Sequence, residues 1–179
     1  MNGFYINQGE FIEWIRKTTM QLSTRGRYAV MALIDLAALQ VEPEGETRAV
    51  KLEEVANRQG ISLSYLEQLF SQLRKAEVVK SVRGPGGGYK LFRDENDIYM
   101  YDIINAVNEG TKATRCDGLT GCLNAERCNS HELWSALGGH IDDFMRQVSL
   151  KMAREKKITV NGHIISKQEG GKAHVRISG

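Results

Sequence analysis

Cys116, Cys122, Cys128 and His131 fall within sixteen residues, in the pattern C-x5-C-x5-C-x2-H. The three cysteines are the only thiols in a chain of 179 residues. Thiolates gathered next to an imidazole are a metal-ligand set. Structural zinc sites usually draw their first two thiolates from a tight C-x2–4-C turn, whereas both gaps here are five residues. Wider, loop-borne spacing suits an iron–sulfur cluster, which needs thiolates splayed around a larger object. The spacing therefore predicts a 2Fe–2S cluster with three Cys ligands and one His ligand, with a Cys3His zinc site as the alternative. Arg115–Asn129 is polar and glycine-bearing, with no helical or strand period, so it does not read as a core that buries apolar cysteines. An odd cysteine count without a secretory signal also argues against a disulfide framework.

Such a loop has to be held by flanking elements. Ser130 is placed to cap a long helix running to about Met152. Leu133, Trp134, Leu137, Ile141, Phe144, Met145 and Val148 make a wide apolar stripe along it. A domain this small would struggle to cover that stripe alone, so the helix is predicted to mediate a homodimer. Before the loop, Met100–Val107 is a short helix with Met100, Ile103, Ile104 and Val107 on one side.

A second chemistry lies upstream. Thr24–Gln40 reads as a helix that is apolar nearly all round and so buried on most sides. Val41–Val50 is an acidic loop that offers no chemistry of its own. Lys51–Gln59 is a short amphipathic helix stopped by Gly60. Ser62 then caps a helix to Ala76 whose Leu66, Leu69, Phe70 and Leu73 recur at i, i+3, i+4, i+7. Two helices around a glycine turn form a helix-turn-helix. The opposite face of the second helix carries Ser64, Glu67, Gln68, Ser71, Arg74 and Lys75, residue types that read base edges and phosphates. Val78–Arg83 and Tyr89–Phe92 flank Gly84-Pro85-Gly86-Gly87-Gly88, a hairpin with a glycine-rich tip. A helix-turn-helix followed by a basic hairpin is a winged helix. The fold class predicted is therefore mainly α with a small β-hairpin wing, plus the long dimerisation helix.

The expected DNA contacts are Ser62, Ser64, Glu67 and Gln68 on the recognition helix, Arg83 and Gly84 in the wing, and Arg25 and Arg27 near phosphate. Gln68 can read adenine bidentately, and Arg83 is placed to enter a narrow minor groove. Charge fits this placement. The net charge is only +2, but Arg74–Arg93 holds six bases against one acid, and Asp94–Met145 holds ten acids against three bases. A local basic patch attracts phosphate.

The boundaries expected are an extension over 1–19, a DNA-binding domain over 20–95, a cluster loop and dimerisation helix over 96–152, and a flexible basic tail over 153–179. Within that tail Ile158–Ile165 could make a strand. The extension reads as an over-long start, with Met20 the true first residue, or as a real appendage. No apolar run approaches a membrane span, and clustered thiols suit the reducing cytoplasm. Catalysis is not expected. No G-x-G-x-x-G opens a helix, and His140, His163 and His174 are scattered.

Four stretches together resemble the bacterial iron–sulfur cluster regulators of the IscR family. They are LSTRGRYAV (Leu22–Val30), GISLSYLEQLFSQLRK (Gly60–Lys75), SVRGPGGGY (Ser81–Tyr89) and ATRCDGLTGCLNAERCNSHELW (Ala113–Trp134). The resemblance covers roughly three quarters of the chain, Met20 to about Lys151. It implies a winged-helix dimer that binds palindromic operator DNA and takes its cluster from the cluster-assembly machinery. It also implies that Cys116, Cys122, Cys128 and His131 are the cluster ligands. At the place of Glu67 the family has a glutamate that helps cluster-free and cluster-bound forms choose different operators. The departures are residues 1–19, the acidic loop and the tail. A zinc-dependent winged-helix transcription factor is the alternative function.

Overall fold

The computed structural model describes residues 24–41, 46–107, 129–166 and 174–175. The extension 1–19 lies outside them, as do Cys116, Cys122 and Cys128. Among the described residues the order is α1 (Thr24–Leu39), α2 (Leu52–Gln59), α3 (Leu63–Lys75), β1 (Val79–Val82), β2 (Gly88–Leu91), α4 (Met100–Ala106), α5 (His131–Gln147), α6 (Leu150–Arg154), β3 (Ile158–Val160), β4 (His163–Ser166) and β5 (His174–Val175).

The apolar helix α1 is the hub. Ala29, Ala32, Leu33, Leu36 and Ala37 on it are buried, and it packs against α2, α3, α4, α6 and β2. The stripe of α3 buries Leu66, Leu69, Phe70 and Leu73 in the same core. Phe70 has no exposed surface, and its ring meets Tyr89 of the wing edge-on at 5.1 Å. Full burial of a side chain of this size contributes about 1.5–3 kcal/mol.

β1 and β2 pair antiparallel from Val79–Leu91 to Val82–Gly88. The acidic loop then adds to the wing. Val50 bridges to Tyr89 through two backbone hydrogen bonds of 2.9 and 2.8 Å. Lys90 Nζ donates to the Thr47 carbonyl, and the Leu91 amide donates to Gln40 Oε1 at 3.0 Å. Gly88 is required by this docking, because a Cβ there would sit 2.3 Å from the Val50 carbonyl oxygen.

The long helix expected from Ser130 to Met152 is broken in two. Val148 and Ser149 are extended and pair with the segment before α4: the Met100 amide donates to the Val148 carbonyl at 2.9 Å, and the Leu150 amide to the Ile98 carbonyl at 2.7 Å. Ser149 Oγ accepts the Met152 amide at 3.3 Å and so starts α6. Pairing and a new cap satisfy the groups a continuing helix would have used. Arg154 then clamps Glu95 bidentately at 2.7 and 2.8 Å.

The segment expected to be a flexible tail also holds structure. β3 and β4 form an antiparallel hairpin, with β5 beside β4. Ile158 and Val160 pack on the core, and that burial orders what composition alone reads as loose. No described helix is long and apolar enough to cross a membrane.

Candidate nucleic-acid interface and metal centre

The helix-turn-helix is fixed at both ends of its first helix. Lys51 takes the N-cap position of α2, and Arg48, just upstream, grips Glu54 of α2 through 2.8 and 3.2 Å hydrogen bonds. Arg48 holds the Glu54 carboxyl below its ordinary value. At the other end Gly60 turns the chain with φ 64°, and its amide donates to the Ala56 carbonyl. Arg58, in the last turn, donates Nε to both oxygens of Asp35 at 3.0 and 2.9 Å. Asp35 is 6% exposed on α1, and the bond raises the Arg58 pKa. A buried carboxylate requires such a partner. This pair locks α2 to the hub, and the sequence reading missed it. The signal was present: one acid inside the apolar run of α1.

α3 is thereby held with its polar face outward. Ser62 takes the N-cap position, but its side chain makes no capping bond, which differs from the expected cap. Ser62, Ser64, Glu67 and Gln68 are exposed. Arg83 and Gly84 are exposed at the end of β1, and a Cβ on Gly84 would meet nothing within 4 Å. Arg25 and Arg27 are exposed in the first turn of α1. Tyr28 and Tyr65 stack edge-on at 5.9 Å and pack against the core.

The bases of the patch divide into two groups. Arg93 bonds the Asp97 carbonyl and Asp102, and Lys90 is held by Thr47. Arg74, Lys75, Lys80 and Arg83 are exposed, and none has a carboxylate partner among the described residues. They are the cations of the patch that stay exposed without such a partner.

His131 opens α5 and is 7% exposed, unlike the exposed His140. Its Nε2 lies 3.3 Å from Ser135 Oγ. Its Nδ1 is buried with no hydrogen-bond partner among the described residues. Buried polar atoms are rarely left so. Ser130 Oγ accepts from Trp134 Nε1 at 3.2 Å and makes no capping bond. Beyond this end, α5 exposes Leu133 (64%), Trp134 (41%) and Leu137 (36%). A buried imidazole nitrogen without a partner among the described residues, directly after a segment with three cysteines, fits a metal or cluster ligand set.

The profile of the Rrf2 family, described as "Iron-dependent Transcriptional regulator", matches residues 22–155. The chain belongs to the Rrf2 family. Within it the similarity is to IscR. The HTH-type transcriptional regulator IscR of Xenorhabdus nematophila is 48% identical over 132 residues, 74% of this chain and 77% of that protein. The Sodalis glossinidius IscR is 50% identical over 131 residues, 73% of this chain and 76% of that one. Among solved structures, T. potens IscR has a TM-score of 0.59 at 35% identity, covering 79% of this chain and 93% of that one. CymR, the global cysteine regulator of B. subtilis, has a TM-score of 0.62 at 31% identity, covering 76% and 98%. This Rrf2 chain is thus an IscR-type, DNA-binding transcriptional regulator with a winged helix-turn-helix, and not an enzyme.

Proposed function

We propose that this regulator senses iron–sulfur cluster supply through a 2Fe–2S cluster held by Cys116, Cys122, Cys128 and His131, and controls genes for cluster assembly. The observation that carries the reading is the His131 imidazole, buried with Nδ1 unpartnered among the described residues. Membership of a family described as iron-dependent supports an iron-containing group. When bound, a cluster with three thiolates and one neutral imidazole carries one negative charge fewer than an all-Cys cluster, which raises its reduction potential as His ligation does in Rieske centres. Imidazole must be deprotonated to bind and leaves on protonation. His131 therefore makes the site easier to empty, which suits a sensor of supply better than a structural brace.

His131 reaches the reading head through packed elements. α5 packs on α4, and α4 packs on α1 and α3. Ligand binding at His131, at the start of α5, biases where α3 sits. Ser62, Ser64 and Gln68 contact bases, Arg83 and Gly84 contact the wing-side groove, and Arg25 and Arg27 contact phosphate. Glu67 repels phosphate and accepts only from a donor such as cytosine N4, so it sets which operators the cluster-free form rejects. The exposed apolar face of α5 supports a homodimer. Two-fold symmetry then requires a palindromic operator with half-sites about 34 Å apart. The protein acts in the cytoplasm and receives its cluster from the assembly machinery.

The test is purification without oxygen, with metal and sulfide analysis and an absorption spectrum. Iron and sulfide near two each per chain, with visible charge-transfer bands, support the reading. A colourless protein with about one zinc per chain overturns cluster sensing and leaves the winged-helix regulator. Operator binding by Cys-to-Ala and His131→Ala variants then shows which operators need the metal.

A further inference from the structure

His131 and Ser135 stand one helical turn apart on α5, the i, i+4 spacing that brings side chains together. The ring has one nitrogen in each of two environments. Nε2 faces the Ser135 hydroxyl at 3.3 Å. Nδ1 is buried and has no partner among the described residues. A neutral imidazole offers one N–H donor and one lone pair. Serine both donates and accepts, so it tolerates either tautomer when nothing else binds the ring. A metal fixes the choice. If the lone pair is used at Nδ1, the proton is at Nε2, and Nε2–H donates to Ser135 Oγ.

We propose that His131 ligates through Nδ1 and that Ser135 is the positioning residue that fixes the ring by accepting from Nε2–H. This rests on the reading of His131 as a ligand and adds the ligating atom and its orienting partner. Metal-bound histidines generally donate their second N–H to an orienting group, which sets the tautomer and raises ligand basicity. The opposite arrangement, ligation through Nε2, would displace Ser135 and leave the Nδ1 proton buried without an acceptor among the described residues.

The experiment uses the full chain loaded with its cluster, grown with histidine labelled with 15N at Nδ1 or at Nε2, reduced, and read by pulsed electron paramagnetic resonance. The expected result is strong hyperfine coupling from Nδ1 and weak coupling from Nε2. Ser135→Ala is expected to change the weak Nε2 signal and speed cluster loss to a chelator on the order of tenfold. Ser135→Thr, which keeps the hydroxyl, is expected to restore both. Ser135 is exposed, and alanine is the better helix former, so the metal-free fold is expected to be unchanged by circular dichroism. Strong coupling from Nε2, or a Ser135→Ala protein indistinguishable from wild type, overturns the proposal while the cluster reading stands. A cluster with no strongly coupled nitrogen removes His131 as a ligand and the proposal with it. A protein that holds no cluster overturns the proposed function itself.

Discussion

The winged helix and the α5 arm are finished to different degrees. In the winged helix the charged and large apolar groups are met from within the chain, and Gln72 Oε1 on α3 is the buried polar atom left without a partner among the described residues. Phe70 is fully buried, Asp35 has Arg58, Glu54 has Arg48, and the wing is joined by Val50. The start of α5 is the reverse. His131 is buried with Nδ1 unpartnered among the described residues, and Leu133, Trp134 and Leu137 stand exposed on a single chain. The difference teaches where regulation can enter. A reading head that is already assembled gives a fixed DNA surface. An arm whose buried imidazole nitrogen has no partner among the described residues, and whose Leu133, Trp134 and Leu137 are exposed, is where the proposed ligand and second copy would act.

The largest effects should separate the two regions by mechanism. Phe70→Ala should cost about 3–5 kcal/mol of stability and abolish binding to every operator, with or without metal; thermal and urea melts check it. Trp134→Glu should leave the single-chain fold within about 1 kcal/mol, because Trp134 is exposed and the bond it would lose, to Ser130 Oγ, is itself exposed to solvent. It should instead convert dimer to monomer in sedimentation and weaken operator binding by tenfold or more. If Trp134→Glu unfolds the chain or leaves a dimer, the contrast between the regions is wrong.

The sequence was most legible where periodicity and punctuation agree. The stripe of α3, the Gly60 turn and the hairpin around its glycines were all read close to their observed bounds. It was less legible where tertiary pairing overrides local pattern. The apolar stripe of α5 runs in register through Val148, yet Ile98 and Met100 capture the backbone there and Ser149 restarts the helix. The weak pattern of 158–166 gains order from burial of Ile158 and Val160 against the core, which no local window contains. The ligand pattern was legible as chemistry, since thiols and imidazole at fixed spacing need no fold to be noticed. The environment of His131 was not, because its burial and its contact with Ser135 depend on how α5 is seated. The wing glycines carry a similar lesson. They read as the tip of a hairpin, with Gly84 a DNA contact, but Gly88 is demanded by Val50.

The DNA surface gives the intermediate effects. Gln68→Ala should cost about 1–3 kcal/mol at one base position and leave other positions alone, measured by binding to single-substituted operators. Arg83→Ala should weaken binding to all sequences alike and reduce the slope of log K against log salt by about one. A sequence-selective loss at Arg83, or a uniform loss at Gln68, would reverse the roles given to wing and helix. Neither variant should alter cluster content, since neither residue belongs to the arm.

The smallest effect tests whether the clamps of the reading head add stability or only geometry. The Arg48 hydrogen bond is the main reason the Glu54 carboxyl sits below its ordinary 4.5. A carboxylate with a lowered folded pKa contributes stability that is fully present above the unfolded value. It is lost as pH falls through the folded value. Both side chains are more than a third exposed, at 36% and 37%, so solvent screens the pair and its worth is held below about 1 kcal/mol. Glu54→Gln should therefore lower stability slightly at pH 7 and flatten the decline below pH 4.5, in urea melts run beside wild type. Asp94, whose carboxyl is also lowered by its bonds from Asn96, declines equally in both proteins and cancels in the difference. Parallel curves for the two proteins would mean that Arg48 orients α2 without stabilising it, and that the buried core alone holds the reading head together.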